Sequence, residues 1–390
     1  MLSLDEELKQ RLAGLREQNL FRELRRVDSA QGSRIEIGGK TFLNFSSNDY
    51  LGLANHSTLK EAAIRTVEKF GAGAGASRLI CGSLSPFHEL EDALATFKKT
   101  ESALTFSTGY AAALGTITAL VGKDDIIILD KLVHACIVDA AKLSGAKLRI
   151  FDHNDLNDLE DKLRWARTNS QGQILVVTES IFSMDGDAAP LREIVALKDK
   201  YGAWLMVDEA HATGIIGEKG RGIADELGVS NQIEIQMGTL GKALGASGGY
   251  ICGNRALIDF LVNRARSFIF STAPIPAAAA TAMAGIQLVQ SAEGEKLRLQ
   301  LEQHVAAFKS AIGNRHLAMA SAIIPLILGD EEKTLAAASK LRAHGIFVPA
   351  IRYPTVARGA ARLRVTLTAA HTAADVAELV TALNKLAIGN

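Results

Sequence analysis

Along the middle of the chain, short and largely apolar stretches alternate with stretches whose apolar residues recur at helical spacing. The apolar runs are Ala103 to Phe106, Ile126 to Leu129, Ile174 to Thr178, Trp204 to Val207, Ile233 to Met237 and Gly249 to Cys252. A strand wetted on one side would alternate polar and apolar residues. Apart from Ile233 to Met237 these do not, so together they predict a mostly parallel sheet covered by helices on both faces. Before it, Leu4, Leu8, Leu12 and Leu15 fall on one face of a predicted amphipathic helix running to about Arg26. Ser85-Pro86 opens a predicted helix through Lys98, and an Ala-rich helix is expected near 276 to 290. The tail carries helical patterns and short strands at Ala322 to Leu328 and Arg362 to Thr366. The expected organisation is residues 1–45 as a helix with short strands, 46–290 as a large α/β domain and 291–390 as a smaller α+β domain.

The chain has 390 residues, 48% hydrophobic, with 43 basic and 43 acidic side chains. That content excludes a disordered or collagen-like chain, and the zero net charge excludes a polyanion-binding tail. No nucleic-acid partner is expected. No apolar run reaches the ~18 to 20 residues that span a bilayer, and the charged start MLSLDEELKQR lacks a signal peptide's apolar stretch. The expectation is a cytoplasmic protein without a membrane partner. Cys81, Cys136 and Cys252 are far apart and form no CxxC pair, so they read as reduced, mostly buried thiols rather than a disulfide frame or metal site.

Two loose motif matches fail on context. Asp208 to His211 spells the DEAH of a helicase, but no phosphate loop accompanies it. Gly71 to Ala76 satisfies a glycine fingerprint for dinucleotides, but it follows the helical segment EAAIRTVEKF where a strand is required. What remains is Lys242 in a glycine-rich turn, Gly238 to Gly245, directly after a predicted buried strand. Glycines there let the backbone approach another molecule and bring the amine inward, where desolvation makes it nucleophilic. Asp208 ends another strand, at the sheet edge where open α/β sheets bind ligands.

A buried amine and a strand-end carboxylate are what pyridoxal phosphate needs. The amine forms a Schiff base with the aldehyde, and the acid keeps the pyridine nitrogen protonated. The turn Ser107-Thr108-Gly109-Tyr110 at a helix start offers N–H groups to a phosphate. Ser183 and Thr239 could supply hydroxyls, and His134 could lie on the ring. Taken singly, Ser107 reads equally as a cap, Ser183 as a turn residue and His134 as a core histidine. Together they all fall at predicted carboxyl ends of strands.

At these residues the sequence resembles the α-oxoamine synthases, fold type I pyridoxal phosphate enzymes. The resemblance rests on NFSSNDYLGL, GAGASRLICGS, STGY, VVTESIFSMDGDAAPL, MVDEAHATGIIGEKGRG, GTLGKALGASGGY and AIRYPTVARGAARLRVTLTAAHT. It implies an aspartate-aminotransferase-like fold, with a mainly parallel seven-stranded sheet, a smaller C-terminal domain and a homodimer. It implies that Lys242 holds the cofactor, Asp208 pairs with the ring nitrogen, His211 meets the ring hydroxyl and His134 stacks on the ring. Gly109, Tyr110, Ser183 and Thr239 would complete the cofactor site. Arg22, Asn48, His134, Arg352 and Thr355 would handle substrate, with Arg352 expected to clamp an amino-acid carboxylate. The tail RLRVTLTAAHT looks most like members that condense L-alanine with a pimeloyl thioester, carried by acyl carrier protein or CoA. Members that join acetyl-CoA to glycine share the lysine motifs and form the alternative.

Overall fold

Short runs with little polar interruption have no wet face, and in the computed structural model, which describes residues 2–313 and 321–387, they form the centre of a seven-stranded sheet. Its order is Ser102–Phe106, Gly249–Gly253, Ile235–Thr239, Trp204–Asp208, Ile174–Glu179, Ile126–Asp130 and Lys147–Phe151. Gly249–Gly253 runs antiparallel to both neighbours; the pairings from Ile235–Thr239 to Lys147–Phe151 are all parallel. The two-residue repeat of a strand sends alternate side chains to opposite faces. Leu175 and Val177 join Ile127, Leu129 and Met206 under helices Gly109–Leu120, Ala135–Ser144 and Arg255–Arg264. Ile174 and Val176 join Ile126, Ile128 and Leu205 under helices Leu156–Asn169 and Leu191–Lys200.

Lys147–Phe151 was not predicted from the hydrophobic pattern. It is the edge strand, and its KLRIF sequence leaves Lys147 and Ile150 exposed. The first helix also differs from expectation, ending at Glu17 rather than near Arg26. Asn19 takes a left-handed backbone, and the Leu20 and Phe21 N–H groups turn back to the Leu15 carbonyl. No residue of that helix is buried, and its four leucines lie exposed on its surface.

A third apolar cluster joins helices Ser57–Phe70, Ser85–Lys98 and Pro276–Val289 to the C-terminal region. Alanines let Pro276–Val289 pack closely, and at Gly285 a Cβ would meet the Leu244 carbonyl oxygen at 2.3 Å. The C-terminal region holds a sheet of Ile323–Gly329, Ala361–Thr366 and Ala350–Ile351, all antiparallel. Strand Ile346–Phe347 adds in parallel to the N-terminal hairpin Arg34–Ile37 and Lys40–Asn44, so segments from both the N-terminal and C-terminal regions share one sheet. All three cysteines are free; Cys136 and Cys252 are buried, whereas Cys81 is exposed, contrary to the expectation for it. Among the described residues, no helix is long and apolar enough to cross a membrane.

Candidate active site

Strand ends deliver the reactive groups. Glu179, Asp208 and Thr239 close three adjacent parallel strands, and Glu179 pairs in register with Asp208. Helices starting at Gly109 and Ala135 present their N-termini at the same edge, where the sheet's loops converge.

Lys242 donates to Thr239 Oγ1 at 3.1 Å. Burial pulls its amine below the usual lysine range, against the opposing pull of the Asp208 and Glu179 charges. The glycines around it act differently from the expectation that they admit another molecule. A Cβ on Gly238 would meet the Tyr250 hydroxyl at 2.3 Å, and one on Gly245, whose φ is +65°, would meet Leu53 Cβ at 2.6 Å. Both make room for protein, and they hold the lysine turn against its own core.

Asp208 is buried, and burial raises its pKa although Lys242 draws it down. One of its oxygens accepts the Ala210 N–H at 2.9 Å. His211 Nδ1 lies 2.5 Å from the Tyr50 hydroxyl. Burial pushes the Tyr50 phenol up to about 12 and His211 well below the usual histidine range. The phenol therefore keeps its proton and donates it, Nδ1 accepts, and the neutral imidazole carries its own proton on Nε2.

His134 lies exposed at the site's rim as the N-cap of its helix, its Nδ1 accepting the Cys136 N–H at 3.3 Å. Desolvation lowers its pKa, so this imidazole is also neutral. The Cys136 thiol, 3.0 Å from the same nitrogen, is pushed up to about 12, chiefly by burial, and stays protonated. Below them sits Glu179, which the sequence reading did not single out. One carboxylate oxygen accepts the His134 N–H at 2.5 Å and the other the Ser183 N–H at 3.2 Å. This single side chain ties together two loops that carry site residues.

Arg364, also not singled out, spans the same loops. It donates to the Ser183 carbonyl at 2.7 Å, to Asn48 Oδ1 at 3.1 Å and to Thr366 Oγ1 at 2.9 Å. Two residues earlier on the strand, Arg362 grips Asp185 at 2.6 Å and the Met184 carbonyl at 3.1 Å. The R-L-R alternation puts both guanidinium groups on one face, so the C-terminal strand clamps the 183–185 loop.

At the other side of Lys242, Thr108 caps its helix by accepting the Ala111 N–H at 3.0 Å. That leaves the Gly109 and Tyr110 N–H groups without a partner among the described residues. A Cβ on Gly109 would lie 2.6 Å from Thr239 Cγ2, so glycine lets this helix start sit directly on the strand end. Two orphan amides at a positive helix terminus suit a phosphate dianion. A desolvated amine suits an aldehyde, a buried carboxylate a protonated ring nitrogen, and an Nε2–H donor a ring oxygen. The residues present fit pyridoxal phosphate.

Arg22, Arg352 and Thr355 form a separate group. Arg22 donates to Thr355 Oγ1 at 3.1 Å, and Arg352 donates to the carbonyls of Asn19 and Phe21. No hydrogen bond or ion pair among the described residues joins them to the Lys242 group. Arg352 is thus engaged by the N-terminal segment, whereas Asn48 lies against Arg364.

A family model described as aminotransferase class I and II matches residues 40–383. The 8-amino-7-oxononanoate synthase of Geobacter sulfurreducens is 47% identical over 378 residues, which cover 96% of this chain and 96% of that one. Serine palmitoyltransferase of Sphingomonas wittichii superposes with a TM-score of 0.91 at 32% identity, covering 98% of each chain. A serine palmitoyltransferase variant from S. paucimobilis with bound PLP–myriocin superposes with a TM-score of 0.91 at 30% identity, over 99% of this chain and 100% of that one. With a lysine, an aspartate and a histidine gathered at one sheet edge, this chain belongs to the aminotransferase class I and II family of pyridoxal phosphate enzymes, on the branch of the 8-amino-7-oxononanoate synthases.

Proposed function

We propose that the protein condenses L-alanine with a pimeloyl thioester, releasing the thiol and carbon dioxide to give 8-amino-7-oxononanoate, a step of biotin biosynthesis. The observation that carries this reading is the joining of Lys242, Asp208 and neutral His211 at one sheet edge, in a chain 47% identical to a synthase of that name. When bound, pyridoxal phosphate supplies an electrophilic aldehyde and an electron-accepting ring.

The chain's own groups divide the work. Asp208 holds a negative charge against the ring nitrogen and keeps a proton there. His211, fixed by Tyr50, donates from Nε2 to the ring oxygen. The desolvated Lys242 amine takes the proton from alanine Cα and delivers one to the same carbon after carbon dioxide has left. Asn48 and Arg364 receive the alanine carboxylate, since the two lie together and the guanidinium fork matches a carboxylate. Arg22 and Thr355 take the acyl side, and Arg352 stays with the N-terminal carbonyls. The exposed leucines of the first helix support a homodimer, and the free thiols suit the cytoplasm.

The purified protein is incubated with cofactor, L-alanine and pimeloyl-CoA or the pimeloyl carrier protein, and the product is identified by mass spectrometry. The expected product is 8-amino-7-oxononanoate. Efficient turnover of glycine with acetyl-CoA instead, with no pimeloyl product, would refute the assignment.

A further inference from the structure

Beside the Arg22–Thr355 contact lies a cavity of about 410 Å³ that the steps above leave unused. Arg22, Arg25, Arg342 and Arg352 line it, and the sole acidic lining residue is Glu23. Nearby arginines are matched, Arg26 with Asp28 and Arg362 with Asp185. None of the four lining arginines forms an ion pair with a described residue. Arg342 Nε is buried without a hydrogen-bond partner. Arg25 and Arg342 share the Phe347 ring, their guanidinium carbons 5.8 Å and 5.7 Å from its centroid.

Two of the four are weakened by their surroundings. Burial and then Arg25 pull Arg342 below the usual arginine range. Burial and then Arg22 and Arg25 do the same to Arg352, partly offset by Glu331. Like charges gathered without counter-charges store a repulsion that a bound polyanion relieves. The cavity wall also reaches the site. Ala350 and Ile351 pair with Leu363 and Arg362, next to Arg364 on the same strand.

We infer that this arginine pocket binds the phosphate of the acyl donor's phosphopantetheine arm, whether that arm belongs to CoA or to a carrier protein. The inference rests on the reading of the chain as an acyl-thioester condensing enzyme and adds where the donor's charged end is held. Phosphate oxygens accept guanidinium hydrogen bonds in the paired geometry that the arginine fork presents. The rest of the arm is then free to extend past Ala350 and Ile351 towards the Arg364 side.

Isothermal titration of the cofactor-loaded full chain with CoA, 4′-phosphopantetheine and pantetheine tests this. Pantetheine, which lacks phosphate, binds at least ~10-fold more weakly than 4′-phosphopantetheine, and the difference shrinks as salt is raised. Arg25→Gln and Arg342→Gln each weaken CoA binding about tenfold and leave pantetheine binding unchanged. Arg25 is exposed, so its substitution leaves the fold intact, and a thermal melt and the alanine-induced absorbance change check this. Phosphopantetheine binding as tightly as CoA assigns the pocket to the carrier-protein arm; tighter CoA assigns it to CoA. Equal affinities for pantetheine and phosphopantetheine, or unchanged CoA affinity in both variants, overturn the pocket. Pimeloyl turnover together with that result removes the pocket alone. Arginine-dependent CoA binding without any condensation product removes the functional reading alone.

Discussion

Replacing Tyr50 by Phe removes one oxygen atom from a fully packed position, because Tyr50 is 1% exposed and the ring itself is retained. That oxygen donates to His211 Nδ1 at 2.5 Å and lies 3.3 Å from Asn48 Oδ1. Without it, His211 must either leave Nδ1 as a buried, unpaired acceptor or move its proton from Nε2 to Nδ1. The first keeps the donor that faces the cofactor, at the cost of an unsatisfied buried group, about 1–3 kcal/mol. The second loses the donor. Either way the penalty falls on the cofactor-bound form, so pyridoxal phosphate affinity drops by about 5- to 150-fold. Titration of the apoprotein followed by visible absorbance measures it, and nitrogen-15 spectra of His211 report the proton's position. The wild-type spectrum shows a proton on Nε2, with no titration near the usual histidine range, since burial holds His211 well below it. Unchanged cofactor affinity in Tyr50→Phe, or a wild-type proton on Nδ1, would refute this account.

Lys242→Ala is expected to lower turnover by ~10³-fold or more and to abolish the borohydride-reducible cofactor adduct, with the thermal melt unchanged; mass spectrometry of the reduced protein checks it. Glu179→Gln keeps the shape but turns one acceptor into a donor facing the His134 or Ser183 N–H; cofactor affinity should fall roughly ten- to a hundredfold by absorbance titration. Lys98 and Glu209 form a buried pair at 2.5 Å, and Lys98 also donates to the Arg221 carbonyl. Lys98→Ala should therefore cost about 3–5 kcal/mol in urea unfolding, whereas a loss below about 1 kcal/mol would mean that water reaches Glu209. His153 bridges Asp130 at 3.0 Å and Asp187 at 2.7 Å, and despite the opposing effect of burial these bonds raise it to about 10. Its stabilisation is complete below the unfolded value of 6.5 and is lost as pH rises towards 10, on the order of 2 kcal/mol after screening; unfolding curves of wild type and His153→Gln should converge at high pH.

The strands were legible because a strand buried on both faces leaves little that is polar in its sequence, as in the four apolar residues that precede Asp130 in Ile126–Asp130. The edge strand Lys147–Phe151 was not, because solvent on its outer side permits a lysine and an arginine that mask the pattern. In the site, Asp208 could be found as a carboxylate closing an apolar run. The same signal exists at Glu179, at the end of Ile174–Glu179, and was passed over. Arg364 is harder. Its R-L-R alternation shows which face it shares with Arg362, but only the fold brings that face over a loop near residue 183. Tyr50 carries no local mark, since its role depends on a histidine 161 residues away.

Arg22 meets Thr355 across a separation of 333 residues, and Arg352 reaches back to Asn19 over the same interval. During synthesis the first partner of each contact waits for almost the whole polypeptide to emerge. A nascent chain can finish the seven-stranded sheet early, while these contacts close last, so a ribosome-bound intermediate carries Lys242 on a finished sheet before the N-terminal segment is tied to the 352–355 loop.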